Sequence, residues 1–192
     1  MTSTGLVVVV TGPSGVGKGS VHRGVRAALP DSTLSVSVTT RAPRPGEVDG
    51  VDYRFIDRET FDQMVERGEL LEWAEYAGNL YGTPREPVAE EVAKGKVVVL
   101  DIEVQGALQV KEKVPDALLI FLAPPSLAEL ERRLRGRGTE DDDAVERRLR
   151  AAPQQMSEVD AFDEIVINDD LDRCIHEMLA VIDRARHSRT SR

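Results

Sequence analysis

An α/β fold, a parallel sheet flanked by helices, is the architecture this 192-residue sequence predicts, and three observations predict it. Short continuous apolar runs recur along the chain: Leu6 to Val10, Val97 to Leu100, Leu118 to Leu122 and Ile165 to Ile167. Runs of that length without polar alternation read as strands covered on both faces. Helical stretches separate them, as crossover connections in a parallel sheet require. The third observation is the turn after the first run, Gly12-Pro13-Ser14-Gly15-Val16-Gly17-Lys18-Gly19-Ser20. It reads as strand, anion-binding loop, helix. Glycines let successive backbone N–H groups turn inward, the next helix presents its positive end, and Lys18 adds a full charge.

Taken in order, the helix after the loop is expected over Ser20 to Leu29, closed by Pro30-Asp31, and Leu34 to Val38 reads as a short alternating strand. From Thr39 to about Gly82 the pattern changes to glycines, prolines, most of the aromatics and short alternating segments, with one helix at Arg58 to Arg67. That composition suits a small inserted subdomain. Pro84 to Lys94 reads as a helix with proline in its first turn and Gly95 at its end. Alternation then resumes: a strand ending in Asp101, a helix over Gln105 to Lys113, a strand stopped by Pro124-Pro125, and a helix capped by Ser126 that runs to about Arg135. Gly136 to Asp143 is a charged connector whose Thr139 and Asp142 make a capping pattern for the next helix. The acidic run Glu140 to Asp143 suits that helix end better than a metal. Pro153 falls inside the helix and is expected to kink or restart it. Leu171 to His187 is the last helix, with Cys174 on its apolar stripe, and Ser188 to Arg192 reads as a disordered tail.

A formal net charge of −9 argues against a general nucleic-acid or membrane-surface binder, and it gives weight to arginine clusters that run against the trend. One cysteine excludes an internal disulfide and suits a reducing compartment. His22, His176 and His187 have no metal-ligand spacing and read as surface residues. No segment is long enough to span a bilayer, and Met1 to Gly5 lacks a basic signal-peptide start, so the expectation is a cytoplasmic protein.

Ligands of open parallel sheets bind beyond the carboxyl ends of the strands, where the glycine-rich loop and Asp101 both fall. A second stretch, Ser35 to Glu47 followed by Asp52-Tyr53, carries Arg41 and Arg44 stiffened by Pro43 and Pro45. Two guanidinium forks and a tyrosine hydroxyl match a phosphate monoester, which implies a second, phosphorylated substrate. Glu72 beside Trp73, Tyr76 and Tyr81 suggests a carboxylate against the wall of a planar base. The third cluster is Arg133 to Thr139 with Arg147-Arg148, in which glycines around an arginine let the chain swing over phosphates.

With these motifs the sequence resembles the guanylate kinases, from Leu6 to the last helix. The resemblance rests on the loop, Ser37 through Gly46, Asp52-Tyr53, Glu72-Trp73, Tyr81-Gly82-Thr83, Asp101-Ile102-Glu103, Arg133 through Thr139 and Asn168-Asp169-Asp170. It implies a P-loop kinase with a core over 5–34, 96–135 and 160–187, a GMP-binding insert over 35–95 and a mobile lid over 136–159. It also implies transfer of a phosphoryl group from ATP to GMP, with dGMP left open and Mg²⁺ accompanying ATP. By matching position, Gly12 through Ser20 and Asn168 would bind ATP, with Lys18, Arg133, Arg137 and Arg148 catalytic. Arg41, Arg44, Tyr53 and Tyr81 would bind the GMP phosphate, and Ser37, Glu72, Thr83 and Glu103 would face guanine, with Asp101 on the same acceptor side. Guanine offers two N–H donors to a carboxylate, whereas adenine would strand it unpaired. Two departures stand out. Gly19 replaces the usual hydroxyl, leaving Ser20, water or the phosphates for magnesium, a loop similar to that of adenylate kinases, and Glu103 stands where Asp is common. A non-catalytic binding module of the same family and a kinase for another phosphorylated acceptor remain as alternatives.

Overall fold

A computed structural model of the chain describes residues 5–76, 78–136 and 142–190. Five parallel strands build the main sheet: β1 (Leu6–Thr11), β2 (Ser32–Leu34), β7 (Val97–Asp101), β8 (Leu118–Ala123) and β9 (Glu164–Ile167), in the spatial order β2-β7-β1-β8-β9. Every residue of β1 and β8 is buried, which is why they read as unbroken apolar runs. Alternate side chains of each strand feed opposite faces. Val8, Val10, Ile120 and Leu122 pack with Val21 and Val25 of α1 (Lys18–Ala28) and with Cys174, Met178 and Ile182 of α7 (Leu171–Thr190). Val7, Val9, Leu119 and Phe121 meet Val88 of α3 (Arg85–Ala93) and Val104, Ala107 and Val110 of α4 (Val104–Lys113). At about 1.5–3 kcal/mol for each fully buried aliphatic side chain, these two layers fix the sheet.

A second sheet holds β3 (Val38–Thr39), β4 (Arg54–Phe55), β5 (Leu70–Tyr76) and β6 (Asn79–Pro84) in the order β4-β3-β6-β5. Beneath it, Val38, Leu70 and Leu80 close over Phe61 of α2 (Arg58–Glu66). The remaining elements are α5 (Leu127–Gly136), α6 (Asp142–Ser157) and a 3₁₀ turn over Val159–Ala161.

Several expectations change. The run Leu34 to Val38 is not one strand: Leu34 pairs with Val99 of the main sheet, whereas Val38 pairs with Gly82 and Arg54 of the small one. Alternation has the same period in both sheets, so the crossing at 35–37 leaves no trace in the pattern. The first helix starts at Lys18 rather than Ser20, because Gly17 at φ 105° serves as its N-cap. One helix runs through Pro153 without restarting, with the proline on an exposed face. The expected disordered tail is helical through Thr190. Arg189 anchors it by donating to the carbonyls of Gly5 (2.9 Å) and Asp116 (2.7 Å). Ser126 does cap α5, accepting from Glu129 N at 3.1 Å. Thr139, the other expected cap, lies outside the described residues, as does Arg137. Among the described residues no helix is long and apolar enough to cross a membrane.

Candidate functional site

The glycine-rich loop joins β1 to α1 at the carboxyl edge of the main sheet. Its shape is enforced from outside: Asn168 Nδ2 (2.7 Å) and Arg133 Nη1 (3.2 Å) both donate to the Val16 carbonyl. Across a planar trans peptide, a carbonyl tied outward turns the next N–H, that of Gly17, inward. A Cβ on Gly17 would lie 2.5 Å from Asn168 Nδ2, so glycine is required by space as well as by φ. Lys18 Nζ donates to the Gly12 carbonyl at 2.7 Å and lies 3.8 Å from Asp101 Oδ1. Arg148 Nη1 donates to Ser14 Oγ at 2.7 Å, bringing α6 to the loop. Gly19 is exposed, and the Ser20 hydroxyl accepts from Arg23 Nη2 at 3.1 Å.

Across the cleft, Arg41 points both arms of its fork at Glu47, with both contacts at 2.9 Å, and Glu47 Oε2 also accepts from Arg44 N at 2.7 Å. The Arg41 guanidinium pulls the Glu47 carboxyl down to about 2, and Glu47 raises Arg41 in turn. Arg41 also stands 5.3 Å from the Tyr53 ring centre, and Tyr53 meets Tyr81 edge-on at 6.0 Å. Burial, foremost, pushes the Tyr53 phenol up.

Glu72 is only 4% exposed, although a lone carboxylate strongly resists burial. Thr83 Oγ1 donates to its Oε1 at 2.6 Å, yet desolvation dominates and raises the carboxyl above its ordinary range. Gly106 of α4 makes the space: a Cβ there would sit 2.5 Å from Glu72 Oε2. The next residue, Trp73, is clipped to α4 by Gln109, whose amide accepts from its N–H (3.2 Å) and donates to its carbonyl (2.9 Å). Trp73 itself does not form the expected wall with Tyr76 and Tyr81, since strand alternation turns its ring onto Phe61, 6.4 Å away.

Ser14, Lys18, Ser37, Arg41, Arg44, Tyr53, Glu72, Tyr81, Asp101, Glu103 and Arg148 line one cleft of about 380 Å³. Of the other candidates, Thr83 is fully buried and holds Glu72, while Arg133 and the buried Asn168 brace the loop through Val16. Asp101 stands between the two sides of the cleft, 3.8 Å from Lys18 Nζ and close enough to Tyr53 for its charge to help raise the phenol. His22 is not the surface residue expected from spacing: its buried Nε2 lies 3.3 Å from Asp101 Oδ2, out of line for a hydrogen bond. Among the described residues no group of three or more His, Cys, Asp or Glu could hold a metal ion. Side-chain oxygens at or beside the loop include those of Ser14, Ser20 and Asp101. The sequence reading missed Glu47, Gly106, Gln109 and Gln155. Only Glu47 had a local signal, the Pro45-Gly46 turn (Gly46 φ 89°) that returns it to Arg41. The others act across 36 or more residues or through bare proximity.

The guanylate kinase family model matches residues 4–185. A guanylate kinase of Synechococcus sp. (strain CC9311) is 54% identical over 170 residues, covering 88% of this chain and 90% of that protein. One from Rubrobacter xylanophilus is 51% identical over 180 residues, covering 94% of each. The crystal structure of guanylate kinase from Anaplasma phagocytophilum superposes with a TM-score of 0.76 at 34% identity, covering 96% of this chain and 87% of that one. With agreement spanning both sheets, this chain belongs to the guanylate kinase family.

Proposed function

We infer that this chain transfers the γ-phosphoryl group of ATP to the 5′-phosphate of GMP, giving ADP and GDP. The observation that carries the reading is Glu72, a buried carboxylate kept at a cost in the same cleft as Lys18 and Arg41. Its two oxygens suit the N1–H and 2-amino donors of guanine. Ser37 is the hydroxyl for the guanine O6, Glu103 a further carboxylate beside the base, and Thr83 orients Glu72. Arg41, Arg44, Tyr53 and Tyr81 take the acceptor phosphate, with Arg41 exchanging Glu47 for phosphate oxygens of the same fork geometry.

Within Gly12 through Ser20 the N–H groups of the glycines and of Lys18 take the donor phosphates, Pro13 having none to give and those of Val16 and Ser20 being bonded within the loop, and Asn168 keeps the loop in shape. Lys18, Arg133, Arg137 and Arg148 offset charge as the phosphoryl group moves. The attacking phosphate oxygen is already largely ionised at neutral pH, so no general base is needed, and alignment supplies most of the rate. Mg²⁺ arriving with ATP would spread the charge of the β- and γ-phosphates, with Ser20 and Asp101 as its protein-side oxygens, directly or through water. The division into core (5–34, 96–135, 160–187), GMP-binding insert (35–95) and lid (136–159) belongs to the same reading, as does a cytoplasmic setting. A coupled ADP-release assay across GMP, dGMP, AMP, UMP and sugar phosphates tests it. Turnover confined to GMP and dGMP is expected; faster turnover with any other acceptor overturns it.

A further inference from the structure

Glu103 occupies the N-cap of α4, yet its side chain makes no capping hydrogen bond. Its Oε2 instead accepts from Gln155 Nε2 at 2.9 Å, 52 residues away on α6. The same helix carries Arg148, seven residues earlier, which donates to Ser14 Oγ of the phosphate loop at 2.7 Å. Seven residues are two turns, so both side chains lie on one face, about 10.5 Å apart along the axis. Beyond Gln155, Met156 and Val159 pack against the buried layer that contains Val104 and Ala107 of α4. The helix is therefore fastened to the core at its carboxyl end and held to Glu103 one residue before that fastening, while Val145, Leu149 and Ala152 seat the stretch that carries Arg148 against Leu130 and Leu134 of α5.

We propose that Gln155 is a positioning residue that couples occupation of the acceptor side to the placement of Arg148 over the donor nucleotide. The inference rests on the kinase reading above. A carboxylate has two oxygens and about four lone-pair sites, so Glu103 can hold Gln155 through Oε2 while presenting Oε1 to an N–H of the bound base. An acceptor that fixes Glu103 thereby fixes Gln155. Because α6 is a stiff element, it also fixes the direction in which Arg148 reaches Ser14 and any anion in the loop. An interaction at one site then lowers the ordering cost at the other, and linkage makes the effect reciprocal.

The test is calorimetric binding of ADP, alone and with GMP at saturation, a pair that forms a ternary complex without turnover. In the unaltered chain GMP is expected to tighten ADP by at least about fivefold. In Gln155→Leu the ratio should fall to within about twofold of one, with ADP alone binding as before. Gln155→Asn, whose amide is one methylene too short to reach Glu103, should behave alike and carries the test if the leucine variant does not fold. A ratio of one in the unaltered chain, or an unchanged ratio in a folded variant, overturns the coupling. Loss of the kinase reading would look different, as an absence of GMP-dependent ADP release by the unaltered chain.

Discussion

Replacing Glu72 with glutamine tests the base recognition most directly. The amide keeps an oxygen for Thr83, which donates at 2.6 Å in the present structure, so the small sheet should stay intact. What changes is the second position, where an acceptor becomes an NH₂ donor facing a guanine N–H. At 4% exposure no water can take its place. Losing one hydrogen bond to a charged group costs about 1.5–3 kcal/mol, and a donor left facing a donor adds to that. A total of about 3 kcal/mol corresponds to a factor of about 100 to 200 in kcat/KM for GMP. The assay is steady-state ADP release with ATP saturating and GMP varied, then the reverse. KM for ATP should stay within about twofold, because the loop is braced by Asn168 and Arg133 rather than by Glu72. Equal weakening of both substrates would refute the argument and make Glu72 a structural residue. Stability supplies an independent check. A carboxyl whose pKa is raised in the folded state favours folding below its unfolded value, near pH 4.3, and that contribution is lost as pH rises through the folded value. The glutamine variant lacks that loss, so its melting temperature relative to the unaltered chain should climb between acid and neutral pH.

Three further outcomes follow from the geometry. Lys18→Ala should lower kcat by about 10²–10³ or more while the melting curve stays cooperative, since Lys18 is half-buried at the surface loop and donates chiefly to a backbone carbonyl; near-normal turnover would remove it from the chemistry. Gly106→Ala drives a methyl against Glu72 Oε2 and should raise KM for GMP by about tenfold with little effect on ATP. Unchanged GMP kinetics would mean that the carboxylate is not held where the base binds. In hydrogen exchange, GMP alone should protect amides of 39–55 more than those of β5, and a uniform change across both would show that the small sheet responds as one body.

The main sheet was legible because its strands are buried on both sides and so announce themselves as apolar runs. The loop was legible because an anion cradle needs glycines and a lysine at close spacing. Legibility failed where geometry depends on distant partners. His22 was misjudged because spacing says nothing about Asp101, which approaches it from the end of β7. Leu34 to Val38 was misjudged because the chain changes sheets inside one alternating run. Gln109 and Gln155 are polar residues on helices that are half solvated, the commonest place for glutamine. Only the folded register shows one stitched to Trp73 and the other to Glu103.

The stitching of Trp73 has a consequence for where each part of an acceptor would be read. Gln109 supplies to β5 the two backbone partners that a neighbouring strand would have given, so the outer edge of the small sheet is sewn to a helix of the core. Lys113 adds a third suture at the Leu70 carbonyl, 3.2 Å away. That sewn border is to the small sheet what a spine is to a page, with the crossing at 35–37 as a second tie to the main sheet. Glu72 lies on the spine, while Arg41, Glu47 and Tyr53 lie toward the free margin beyond β3. On the proposed reading the purine ring would meet its carboxylate at the border that is sewn to the core. The phosphate would then fall to the margin farther from the stitches, so the base would be read at the spine and its phosphate at the open edge of the page.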